Sequence, residues 1–214
     1  MATIRVLVEP TSKKAFASAL DWPGLSRSGR DEIAALEALA AALPRYAPVA
    51  ELAGESFDAT ATLEVVEQLP GDATTAFGAP AIAASDDRLP TDEAASMRIA
   101  ALVDAAWRTL DAVVAVAPEA LRKGPRGGGR DRSKIVGHVH EAEAGYAQVM
   151  GRKHRPVDAE AVKAMRADLL AVLREPSDGS PLAGKKWPPR YAARRIAWHA
   201  LDHAWEIEDR TEPV

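Results

Sequence analysis

His199 and His203 stand four residues apart in RYAARRIAWHALDHAWEIEDR, residues 190–210, and are two of only five histidines in the chain. On a helix that rises ~1.5 Å per residue and turns every ~3.6 residues, such a pair stacks on one face and can point two imidazole nitrogens at one ion. Ile196, His199, His203 and Ile207 follow the spacing of a buried helical stripe, which aims both rings inward. A metal would need further ligands, and the run IVGHVHEAEAGYAQVM supplies His138 and His140. Its inward stripe reads Ile135, His138, Ala142, Gly145 and Val149, with His140 roughly 200° further round the helix, so His138 is the better ligand. Three histidines from two helices would hold a divalent cation and leave a coordination position open. The same spacing also suits two partly buried rings satisfied by carboxylates or backbone carbonyls, since the Glu of the H-E-x-x-H pattern is missing.

The residues around the three histidines suggest what such an ion would do. A cation there acts as a Lewis acid on a bound thiol or carbonyl, or makes hydroxide at neutral pH. Glu206 follows His203 by about one turn and Glu141 follows His138 likewise, so each is placed to orient a ring or accept a proton as a catalytic group. The loop KGPRGGGRDR, residues 123–132, runs into the helix of His138 and carries Arg126, Arg130 and Arg132 beside three glycines that let backbone amides approach an anion. With Lys185 from the loop before the last helix, Arg126 and Arg130 are the expected holders of an anionic group on a thiol or substrate. Lys186, Arg190 and Trp187 accompany Lys185, while Trp198 and Trp205 flank the His pair and read first as core. The chain has no cysteine, which excludes disulfides and thiolate ligands and leaves any thiol chemistry to an external low-molecular-weight thiol.

Four helices with one histidine early in the second and His-x-x-x-His in the fourth resemble the DinB-like (YfiT-type) superfamily of metal-binding bundles. Ile135, Val136, His138 and Glu141 match the second-helix pattern and Trp198, His199 and His203 the fourth, over about residues 85–210. The resemblance implies that His138, His199 and His203 bind a divalent metal, zinc or nickel. It further implies a thiol-dependent S-transferase or hydrolase acting on a small molecule, relatives of that kind including a mycothiol-dependent maleylpyruvate isomerase.

The elements that must position these residues follow from patterning. With 214 residues and 47% hydrophobic content the chain can bury a sizeable core. Residues 3–8 and 15–20 read as strands, the second closed by the turn Asp21-Trp22-Pro23-Gly24. From Asp31 the apolar spacing Ile33, Leu36, Ala40, Leu43 predicts a helix that Pro44 ends, and alternation over residues 57–68 predicts a third strand with one buried face. This β-β-α-β order resembles part of the HicB-like fold, on Asp21, Pro23, Gly24, Gly29 and Glu32, with Trp22 where a Leu or Phe is commoner. Residues 78–90 lack periodicity and read as a linker. Beyond it, Asp92 and Glu93 open a helix with the stripe Val103, Ala106, Trp107, Leu110, Val114. Ser133 is the expected N-cap of the helix bearing His138, and residues 159–174 give a third helix through Val162, Met165, Leu169, Leu170 and Leu173. The expected fold is therefore α+β: a small HicB-like domain over residues 1–80, then a DinB-like four-helix bundle over 85–214.

A net charge of -4 argues against phosphate-backbone binding, so nucleic acid is not an expected partner. The N-terminus has no signal-peptide pattern and the chain no run of about 18 apolar residues, which gives an expectation of a cytoplasmic protein without a membrane partner. A small-molecule substrate is the expected partner, with a homodimer left open. Three functional classes survive: a metal-dependent enzyme, a protein-binding module that uses the HicB-like part, and a metal-stabilised scaffold.

Overall fold

β-branched and small residues dominate the first 30 positions, and in the computed structural model, which describes residues 2–123 and 129–211, they build most of a four-stranded sheet. Strand β1 (Thr3–Pro10) pairs antiparallel with β2 (Ala15–Ala19), β2 pairs antiparallel with β3 (Ser26–Gly29), and β4 (Thr62–Gln68) lies parallel to β1 at the other edge. The strand β3 is additional to the β-β-α-β reading; its sequence SRSG has no apolar alternation to announce it. Period-2 geometry sorts β1 into two faces: Ile4, Val6 and Val8 join the main core, whereas Leu7 packs with Leu20 and Ala84 on the opposite side. The expected third strand is shorter and more exposed than its alternation suggests, because β4 is an edge strand.

Helix α1 (Glu32–Leu52) starts at Asp31, whose side chain accepts from the Ala34 amide, and covers the core face of the sheet. It does not end at Pro44 but continues through both Pro44 and Pro48. Both prolines lie on the exposed face, as does Ala40, so a carbonyl that loses its intrahelical donor is left to water rather than buried. The buried stripe is Ala35, Leu39, Ala42, Leu43, Tyr46, Val49 and Ala50, and the expected Ile33 and Ala40 are exposed. By length and composition α1 could cross a membrane, yet this stripe is packed against protein.

After a short helix α2 (Ala73–Phe77), four long helices follow: α3 (Glu93–Val116), α4 (Arg132–Val149), α5 (Ala159–Arg174) and α6 (Pro189–Arg210). Helix α3 packs on α6 and α5, and α4 packs on the same two, so the four close around a shared interior. The stripes expected for α3 and α5 are buried, except that Val114 is half-exposed. In α4 the N-cap is Asp131, and Ser133 instead donates to Glu119. The buried face of α4 is Ile135, Val139, Glu143 and Ala147, one residue round from the expected stripe, which moves His138 to its flank toward α6.

The segment expected to be a linker is held on both sides. Glu9, wholly buried on β1, accepts from the amides of Ala81 and Ile82 and from the Thr75 hydroxyl. From α6, Arg195 and Tyr191 donate to the Pro80 carbonyl, and Arg194 forms a buried ion pair with Asp87. The turn before β3 also meets α6: Gly24 adopts φ 97°, and a Cβ there would lie 2.6 Å from Leu201 Cδ1. One apolar core runs from Ile4, Leu39 and Tyr46 into Ile99, Trp107 and Leu201. Expression of residues 85–214 alone tests whether the two parts separate. The continuous core favours an aggregated or loosely packed product with dye-accessible apolar surface, and a cooperative thermal transition of that fragment would show separable domains.

Candidate metal centre

Helix α6 carries Ile196, His199 and Ile207 into the interior as expected, with His203 partly buried beside them. Across from it, the rotated face of α4 brings His138 to the edge of the interface rather than its centre. The result is a cluster in which one ligand atom from each of His138, His199 and His203 lies within 4.8 Å of the others. His138 Nε2 and His199 Nε2 are 3.3 Å apart. That separation is close to the ~3.3 Å edge of a tetrahedron drawn with ~2.0–2.1 Å metal–nitrogen bonds, and two ring nitrogens this close need a proton or a cation between their lone pairs. The residues present therefore fit a divalent cation.

His203 is oriented by a carboxylate. Its Nδ1 is 2.8 Å from Glu206 Oε2, and Arg210 Nη1 holds the other oxygen, Glu206 Oε1, at 2.8 Å. With Nδ1 engaged in this way, Nε2 of His203 is the atom left for a metal. The bond from His203, with further help from Arg210, holds the Glu206 carboxyl below its ordinary pKa against a partial burial that acts the other way. Burial pushes the His199 imidazole down to about 2, helped by the neighbouring His203 and His138 and by the charges of Arg195 and Arg130. Burial, then Arg130 and His203, lower His138 also. Both rings are thus held in the neutral form that ligates metals.

An aromatic wall stands on one side. The Tyr146 ring lies edge-on to His199 at 5.7 Å between centroids, Trp187 packs on Tyr146 at 5.3 Å, and the Arg195 guanidinium covers both Tyr146 and Trp198. Trp198 otherwise packs against Phe16 of β2, and Trp205 lies under Arg27 and Arg45, so both are core residues first.

The other expected site residues divide. Arg130 is exposed, and its charge acts on both His138 and His199, whereas Arg126 lies outside the described residues. Arg132 turns away to donate to the carbonyls of Val114 and Ala117 at the end of α3. Lys185 Nζ donates to the Gln148 carbonyl near the end of α4 at 2.5 Å. Glu141 is exposed and acts on His138 through its charge, without the ring contact that Glu206 makes. Sequence reasoning passed over Arg195 and Tyr146, although Arg195 sits four residues before His199 and so shares its face. It also passed over the buried pair Glu143–Arg166, which closes the interior between α4 and α5. An acidic residue in the i, i+4, i+8 series from Ile135 and Val139 was the available signal. Comparisons with protein-family models, with curated proteins and with solved structures each gave no match.

Proposed function

We propose that this protein is a divalent-metal-dependent enzyme, a thiol S-transferase or hydrolase acting on a small molecule, with His138, His199 and His203 as metal ligands. The observation that carries it is the convergence of three histidine nitrogens from two helices within 4.8 Å, the ring of His203 fixed by Glu206. Three nitrogen ligands suit zinc or nickel and leave room for a further ligand. The arrangement agrees with the DinB-like resemblance of the α4 and α6 motifs. When bound, the ion would lower the pKa of a coordinated water or external thiol to near neutrality.

The protein's own side chains do the rest. Glu206 keeps the Nδ1 proton of His203 and with it the direction of the ring. Tyr146 and Trp187 offer an aromatic wall, and the exposed Arg130 is available to an anionic group of thiol or substrate, whereas Lys185 is held by the Gln148 carbonyl. Replacing Glu206 with Gln, which keeps its shape and removes its charge, is expected to weaken metal affinity about 10–100-fold, measured by competition with a chromophoric chelator.

Metal-loaded protein offered mycothiol, bacillithiol or glutathione with a panel of electrophiles tests the reaction. Thiol consumption that His199→Ala abolishes is the expected result. If no thiol binds and His199→Ala leaves every detected activity unchanged, the protein is better described as a protein-binding module resting on a metal-stabilised helical part.

A further inference from the structure

One turn before His199, on the same face of α6, stands Arg195, a half-buried guanidinium that no carboxylate among the described residues pairs with. Its head group is nonetheless fixed. Nη1 donates to the Pro80 carbonyl at 2.9 Å, and the guanidinium carbon lies 4.8 Å from the Trp198 ring centroid and 5.8 Å from that of Tyr146. The acidic groups nearby are engaged elsewhere: Asp87 with Arg194, Asp202 with Arg27, and Glu206 with His203 and Arg210. A fixed positive charge with N–H donors to spare therefore stands at the edge of the three-histidine cluster.

Tyr146 faces it from α4, its ring edge-on to His199 at 5.7 Å between centroids and packed on the half-buried Trp187. Burial raises the Tyr146 phenol against the opposing pull of Arg195, so its hydroxyl keeps its proton and can donate. A divalent ion held by three neutral imidazoles keeps its whole charge, and Arg195 adds to the positive field that a further ligand would meet. The planar guanidinium fork matches the two oxygens of a carboxylate.

We infer that Arg195 and Tyr146 select the substrate of the metal centre as a small organic carboxylate with an apolar body, the carboxylate taken by the guanidinium and the hydroxyl and the body lying along Trp187. This rests on the metal-dependent reading above and names the class of molecule that the site takes. Arg195 and Tyr146 are then specificity-determining residues on rigid helices, with the exposed Arg130 acting only at longer range.

The test is calorimetric titration of full-length protein carrying one zinc per chain, checked by elemental analysis, with benzoate, the isosteric benzamide and inorganic phosphate. Benzoate is expected to bind one per chain, at least about tenfold tighter than either of the others. Arg195→Gln should weaken benzoate about tenfold or more and leave benzamide and zinc content unchanged, and Tyr146→Phe should weaken benzoate about fivefold. In cobalt-substituted protein, benzoate should alter the visible absorption of the ion. Benzamide or phosphate binding as tightly as benzoate, benzoate affinity that survives both substitutions, or a loss that follows Arg130→Gln and not Arg195→Gln would each overturn the inference while leaving the metal site standing. A protein that takes up no zinc at the three histidines would overturn the metal-dependent reading and this inference with it.

Discussion

Protein purified without a histidine tag is expected to carry one divalent ion per chain, and replacement of His138, His199 or His203 by Ala is expected to remove it. Losing one of three nitrogen donors should cost more than the ~10–100-fold typical of an outer partner such as Glu206. The stability consequence follows from linkage: at a free metal concentration ~100-fold above Kd, binding to the folded state alone adds about 2.7 kcal/mol. In a chain of this size that corresponds to a rise of roughly 5–10 °C in Tm, absent from the three Ala variants. Elemental analysis and thermal melts with and without chelator measure both quantities. Metal retained at full stoichiometry by all three variants would place the ion elsewhere.

Acid should act through the same rings. The His199 pKa is depressed to about 2 in the folded protein, chiefly by burial, whereas the unfolded chain titrates at its ordinary value of 6.5. The stabilisation associated with a neutral His199 is therefore fully present above pH 6.5 and is lost as pH falls below it, where only the unfolded chain takes up the proton. Each unit below 6.5 costs up to about 1.4 kcal/mol from this residue. In metal-free protein, His199→Leu should flatten the acid limb of stability against pH, and an unchanged limb would assign the acid sensitivity to other groups.

The second large effect concerns Asp87, and it is structural. Its carboxylate and the Arg194 guanidinium are both buried, paired through Oδ2 with Nη2 and through Oδ1 with Nε at 3.1 Å. Asp87 also accepts the Ala84 amide at 2.7 Å, so the pair fastens the 79–90 segment between the sheet and α6. Asp87→Ala leaves a buried, uncompensated guanidinium and is expected to cost about 3–5 kcal/mol, read from chemical denaturation. Asp87→Leu combined with Arg194→Met should recover part of that loss, because a buried ion pair earns little against well-packed apolar groups. Recovery should be incomplete. Burial raises the pKa of Glu9, and Arg194 opposes that rise beside the Ala81 amide, so removing Arg194 makes the buried Glu9 carboxylate costlier to hold. A single variant with the denaturation midpoint of the parent would show that the segment is held by the Glu9 and Pro80 contacts alone.

Much of the candidate site was legible in the sequence because helical periodicity is local. Four-residue spacing placed His199 and His203 on one face, and the angular offset of His140 singled out His138 before any helix was packed. Residues 159–174 showed the same legibility, their stripe of Val162, Met165, Leu169, Leu170 and Leu173 being the buried face of α5. The α+β composition of the fold followed from the same periods of two and 3.6 residues. What the sequence left undetermined depended on contacts between distant segments. The face of α4 that turns inward was set by the neighbours it meets, and Arg166 lets Glu143 be buried where an unpaired carboxylate would face water. Pro44 and Pro48 did not end α1 because tertiary packing put them on the solvent side, where a missing hydrogen bond costs little. The stretch over residues 78–90 has no period, since its order comes from Glu9, Arg194, Arg195 and Tyr191, each more than 70 residues of chain away or on another element. Spacing along each of two helices could thus supply the three candidate ligands, but only the packing of α4 on α6 brought their nitrogens close enough to share an ion, because distance between helices is set by all the side chains between them.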